Sequence, residues 1–183
     1  MRKLRLFFYF PFYFFHLVFI SVSRNKSVIL ADVGRYIKTG EASIWDVMYY
    51  MTLKKEFRNI FYMRIGWPKR FLNFFMPEME SLCIGGLTSN HVGEGLLILH
   101  GVGIVINKNA VLGKNCTILQ NVTIGDREGR GVPKIGNNVL IGAGAMVLGG
   151  VEIGDDVRIG AGSIVLTDIP KGSTVVGCKA TII

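Results

Sequence analysis

PKIGNNVLIGAGAMVLGGVEIGDDVRIGAGSIVLTDIP, residues 133–170, places an aliphatic side chain at every sixth position: Ile135, Ile141, Val147, Ile153, Ile159 and Val165. A period of six matches neither a helix nor a lone strand and marks an internal structural repeat. Four residues after each aliphatic comes a small or medium side chain: Val139, Ala145, Val151, Val157 and Ser163. The same rhythm runs upstream through Val92 and Ile98, then Ile106, Leu112, Ile118 and Ile124, with Leu96, Val102, Ala110, Cys116 and Val122 in the smaller slot. This hexapeptide pattern predicts a mainly β domain, a triangular parallel β-helix over residues 85–183. Three short strands make each coil, the aliphatics fill the interior, and Gly, Asn and Asp supply the turns. Cys116, in an interior slot, is expected only to pack.

The repeat slips twice. Ile98 to Ile106 is a step of eight, and His100 lies in that surplus. Ile124 to Ile135 is a step of eleven, which releases DREGRGVPK as a loop. Two extra residues cannot stay in a flat strand without pushing side chains out of register, so the slip predicts a bulge that turns His100 outward.

The front half is different. Thirteen of the 21 Lys and Arg, against six of the 13 acids, lie in residues 1–84, so nearly all of the formal net charge of +8 sits there. Residues 6–22 are apolar and rich in Phe and Tyr, between MRKLR and SRNK. The run is short for a membrane span and contains Pro11 and His16, and no small-residue cleavage site follows it. Residues 1–26 are therefore expected to associate with a membrane surface, with an apolar helix packed in the protein or between subunits as the alternative. Cations that flank an apolar block, instead of lining a polar face, argue against nucleic acid. Residues 27–84 form a helical region with Asp32, Ser43 and Asp46 as caps, broken at Trp67-Pro68 and resumed over KRFLNFFM. Cys83, Cys116 and Cys178 show no CxxC spacing, which fits free thiols in a reducing compartment.

GEGLLILHGVGIVIN (93–107), NCTILQNVTIG (115–125) and the stretch from Pro133 resemble the hexapeptide-repeat acyltransferases, in their serine acetyltransferase-like branch. IVINKN followed by VTIGDR looks closest to the colanic-acid and capsular-polysaccharide O-acetyltransferases. The resemblance implies a left-handed β-helix, a homotrimer, and acetyl-CoA in the groove between subunits. It makes His100 the general base for direct transfer, a role that suits an imidazole near neutral pH. It gives Gly142, Ala143, Gly160 and Ala161 to the pantetheine arm and Lys179 to a CoA phosphate. Glu94, Asn107 and Arg127 are the candidates for binding the acceptor, and Arg130 and Lys134 could meet phosphates or an acidic glycan.

Departures from that branch shape the expected acceptor. The acids beside the histidine of serine acetyltransferases fall here on Leu99 and Lys108, the orienting carboxylate on Gly85, and a second histidine on Val132. These positions favour a sugar hydroxyl of a cell-surface polysaccharide or its precursor, acetylated at the cytoplasmic face of a membrane. Serine acetylation and a non-catalytic trimeric scaffold are the alternatives. A metal hydratase would need about three His ligands, and the repeat domain offers His91 and His100. No metal is expected.

Overall fold

A computed structural model describes residues 16, 18, 20, 21, 23–37, 41–65, 82–83 and 88–177. The anchor expected in residues 1–26, the helix over KRFLNFFM, Gly85, Cys178 and Lys179 lie wholly or mostly outside these residues. Among the described residues no helix is long and apolar enough to cross a membrane.

Among the described residues, three helices with defined bounds precede the repeat: α1 (Lys26–Gly34), α2 (Ile44–Leu53) and α3 (Lys55–Ile65). Ser43 starts α2 with a capping box. Its hydroxyl accepts from the Asp46 amide at 3.3 Å, and Asp46 Oδ2 accepts from the Ser43 amide at 3.0 Å. Asp32 is not a cap. It sits inside α1 with its side chain fully buried, because it meets a charged partner there.

Thirteen short strands follow among the described residues, numbered in chain order, and they stack as three parallel sheets. The first face holds β1 (Leu82–Cys83), β3 (Ile104–Ile106), β6 (Thr123–Gly125), β9 (Met146–Leu148) and β12 (Ile164–Val165). The second holds β4 (Val111–Leu112), β7 (Lys134–Ile135) and β10 (Glu152–Ile153). The third holds β2 (Leu97–Ile98), β5 (Thr117–Ile118), β8 (Leu140–Ile141), β11 (Arg158–Ile159) and β13 (Thr174–Val175). Each coil visits the three faces in turn, the triangular β-helix that the period of six predicts, and it is of the left-handed kind that the resemblance implies. Equivalent aliphatics pair from coil to coil, Ile98 with Ile118 and Ile118 with Ile141, Ile106 with Ile124 and Ile124 with Val147. All twelve six-step aliphatics are buried.

One interior assignment is corrected. Val102 is 52% exposed, and Ile104, fully buried, fills the slot that the period gave to Val102. The surplus lies before Val102, so a count carried forward from Ile98 assigns the wrong residue.

A β-helix of parallel strands leaves raw backbone at the end where it starts, and such an edge invites pairing with other chains. The helices close it. Ile60 and Met63 of α3 extend the interior core, and polar side chains satisfy the backbone of the first coil. Arg64, buried to 2% exposure, donates Nη1 to Val92 O at 2.5 Å and Nη2 to Gly93 O at 2.6 Å. Its Nε and Nη2 also reach Asp32 at 2.7 and 3.1 Å. Asp32 Oδ1 accepts from the Leu96 amide at 2.9 Å. The Tyr36 hydroxyl donates to Ile98 O and accepts from Ile98 N, and Arg35 donates to Gly95 O and Asn115 O. Burial pushes the Asp32 carboxyl up, while the guanidinium of Arg64 and the Leu96 and Gly95 amides pull against it.

Removing one partner of a buried ion pair strands the other charge, at a cost of about 3–5 kcal/mol. Arg64→Met is expected to lose that much in urea unfolding. Tyr36→Phe, which orphans two backbone groups of β2, is expected to lose about 1–3 kcal/mol. Wild-type stability in both would refute the end-cap account.

Candidate active site

His100 occupies the corner between the third and first faces. On one side the Leu99 amide donates to Ile118 O at 2.9 Å, and on the other Val102 O accepts from the Asn121 amide at 2.8 Å. These two ladder bonds bracket His100 and Gly101 as the two surplus residues. The pair closes as a tight turn in which the Val102 amide donates to His100 O at 2.6 Å. His100 itself has φ of +53°, in the left-handed region, and its side chain is exposed. Gly103 follows at φ +66°, and a Cβ there would fall 2.2 Å from Asn121 Oδ1, so the return into the coil requires glycine. A third bond comes from outside the repeat: the Gly101 amide donates to Glu56 Oε1 of α3 at 3.2 Å.

Below this turn the corner is a column of coils. The Gly144 amide bonds Gln120 O at 2.9 Å and the Gly162 amide bonds Ala143 O at 2.8 Å, which puts Gln120, Ala143 and Ala161 in register beneath the His100 turn. Beside them, a Cβ on Gly144 or Gly162 would meet nothing within 4 Å, so the corner is bordered by open space. Gly142 has a different reason to be glycine. Its Cβ would lie 2.5 Å from Ala161 N, so it serves the stacking of coils. Gly160 likewise faces Val175 O at 3.1 Å.

The other sequence candidates do not gather at this corner within one chain. Glu94 lies between the second and third faces, paired with Lys114 at 3.0 Å. Asn107 lies between the first and second faces, where its Oδ1 accepts from the Asn109 amide. Arg127 is in the loop after β6, which Asp126 braces by accepting from the Gly129 and Gly131 amides. Arg130 approaches Glu128 at 3.7 Å and Lys134 pairs with Glu152 at 3.1 Å. Lys108 is exposed on the turn after β3, and Val132 is half-buried in the loop. His91 stands on a short turn with its Nδ1 at 3.0 Å from Thr88 Oγ1. Among the described residues no three His, Cys, Asp or Glu side chains cluster as a metal site. Sequence reasoning missed Glu56 and Gln120. Gln120 carries a buried Oε1 with no hydrogen-bond partner, and its position beneath the slip was the signal that could have found it.

Comparison with known proteins places these features in a family. Residues 133–167 match the model for bacterial transferase hexapeptide (six repeats), and residues 103–127 match the hexapeptide repeat of succinyl-transferase. A serine acetyltransferase of Helicobacter pylori strain J99 is 50% identical over 95 residues, covering 50% of this chain and 56% of the relative. The solved serine acetyltransferase of Neisseria gonorrhoeae, in complex with serine, is 32% identical with a TM-score of 0.64, covering 90% of this chain and 71% of that one. A solved serine acetyltransferase in complex with CoA is 25% identical with a TM-score of 0.65, covering 90% and 72%. The chain spans 39% and 56% of the length of two of the curated relatives it matches. It belongs to the hexapeptide-repeat acyltransferases, and its relatives there are serine acetyltransferases.

That finding corrects the expected acceptor. The polysaccharide O-acetyltransferase reading rested on Leu99 and Lys108 where acids were expected, and relatives at about half identity are serine acetyltransferases. Of those two positions only Leu99 adjoins the His100 turn; Lys108 lies on the turn after β3, between the first and second faces.

Cys116 is no part of this chemistry. Its side chain is fully buried, its Sγ lies 3.3 Å from Gly136 O, and burial pushes the thiol up to about 11. Only the thiolate is nucleophilic, so at pH 8 about one in a thousand such groups is reactive. Native protein treated with iodoacetamide should show no adduct on the Cys116 peptide by mass spectrometry until denaturant is added. Labelling at the rate of a free thiol would contradict the burial.

Proposed function

We propose that the protein is an acetyl-CoA-dependent serine O-acetyltransferase that acts as a homotrimer, with His100 as the general base. The observation that carries this is the corner itself: the surplus that breaks the repeat presents an exposed imidazole at the head of a column of small side chains. His100 takes the proton of the serine hydroxyl while that oxygen attacks the thioester carbonyl. The new C–O bond forms, the C–S bond breaks, and the imidazolium returns its proton to the departing thiolate to give CoA. Ala143 and Ala161, beside the open space at Gly144 and Gly162, suit the pantetheine arm, and Lys179 suits a CoA phosphate.

Trimer formation is supported by the outer surface of the first face. Val105, Thr123, Met146 and Ile164 line up there on four successive strands, the three apolar ones at 46%, 40% and 62% exposure, a largely apolar row that a second copy would cover. A neighbouring copy could also bring Glu94, Asn107 or Arg127 to the His100 corner from its own surface. Use of acetyl-CoA supports action in the cytoplasm. Association of residues 1–26 with the inner face of a membrane rests on the sequence alone, on the aromatic run 6–22 and its flanking cations, and unchanged fractionation after their deletion would dismiss it.

The test is CoA release from acetyl-CoA by the full chain, with L-serine varied and the product identified as O-acetylserine. His100→Ala is expected to lower kcat/KM by about 10²–10⁴-fold with the fold intact. CoA release that does not depend on serine, or an unimpaired His100→Ala, would overturn the reading.

A further inference from the structure

We infer that Glu56 is the positioning residue of the His100 turn: its carboxylate clamps the Gly101 amide and so fixes where the imidazole points. Three observations carry this. First, His100 and Gly101 are the two residues outside the coil ladder, so neither is held by a strand of the repeat. Second, the Gly101 amide is buried against the helices and its bond is to Glu56 Oε1 at 3.2 Å, a side chain from the first turn of α3. Third, α3 is itself fixed on the β-helix through Ile60, Met63 and the Arg64 bonds to Val92 and Gly93, so the clamp is mounted on a rigid element.

Tyr36 extends the arrangement. Its hydroxyl bonds both backbone groups of Ile98, two residues before His100, and the Glu56 charge helps burial to hold that hydroxyl well above its ordinary range. Tyr36 thus bonds the strand that leads into the turn, and Glu56 bonds the turn itself. Glu56 acts through the backbone of Gly101, and the left-handed conformation of His100 is kept by what lies on both sides of it.

The catalytic part of this inference rests on the acyl-transfer reading; the clamp itself does not. In Glu56→Ala, amide hydrogen exchange at Gly101 is expected to quicken at least tenfold, while Leu99 and Asn121, bonded within the ladder, stay protected. With acetyl-CoA and L-serine, kcat is expected to fall by about 10²-fold while KM for acetyl-CoA holds. Glu56→Gln keeps an acceptor oxygen and is expected to restore both the protection and kcat. Unchanged exchange at Gly101 in Glu56→Ala would overturn the clamp, as would exchange that quickens equally at Leu99 and Asn121. A Glu56→Gln as slow as Glu56→Ala would overturn the positioning role. Wild-type protein that protects Gly101 yet shows no serine-dependent turnover would instead refute the acyl-transfer reading and leave the clamp standing.

Discussion

The buried pair of Arg64 and Asp32 is the joint on which this molecule turns. Every later coil of the β-helix is bonded by the coil before it, but among the described residues the first has a preceding strand only at β3, where β1 pairs with it. Before β3, Arg64, Asp32, Tyr36 and Arg35 take a predecessor's place, meeting carbonyls and amides from Val92 to Ile98 with side-chain groups. A buried charge pair is seldom a source of stability by itself, because desolvation offsets the attraction. Its value here is that both charges spend their remaining hydrogen-bonding capacity on the open edge. Hydrophobic replacements of similar volume could not do that.

The same joint connects fold to chemistry. His100 follows the gripped strand β2 by two residues, and the slip that expels it occurs in the first coil, next to the helices. Coils further along could host a surplus of two only with a neighbouring coil on each side. At the first coil one side is a helical surface, so a side chain such as Glu56 can receive the amide that the slip releases. The loop after β6 shows the other solution: a longer surplus leaves the coil entirely and is braced from within by Asp126.

Much of this was legible in the sequence, for a physical reason. A period of six with a small residue four positions on leaves little freedom, since each coil must fit the one beneath it. The aliphatic interior, the exposed histidine and the helix cap at Ser43 followed from local spacing. Val102 was misassigned because a period counted through a slip keeps its old phase. Asp32 looked like a cap because its partner Arg64 lies 32 residues away and Leu96 a further 32. Charged contacts across such separations leave no periodic trace. The acceptor was misjudged because it was read from two positions, Leu99 and Lys108, of which Lys108 lies on a different corner of the coil from His100.

The central claim is that the corner headed by His100 is where an acyl group changes hands. A crystal structure of the full chain with CoA bound tests it most directly. The account predicts the pantetheine arm along Ala161, Ala143 and Gln120, with the sulfur ending within about 3–4 Å of the position an attacking hydroxyl would share with the His100 imidazole. CoA lodged on the second face, or a sulfur far from His100 in every copy of the assembly, would contradict it.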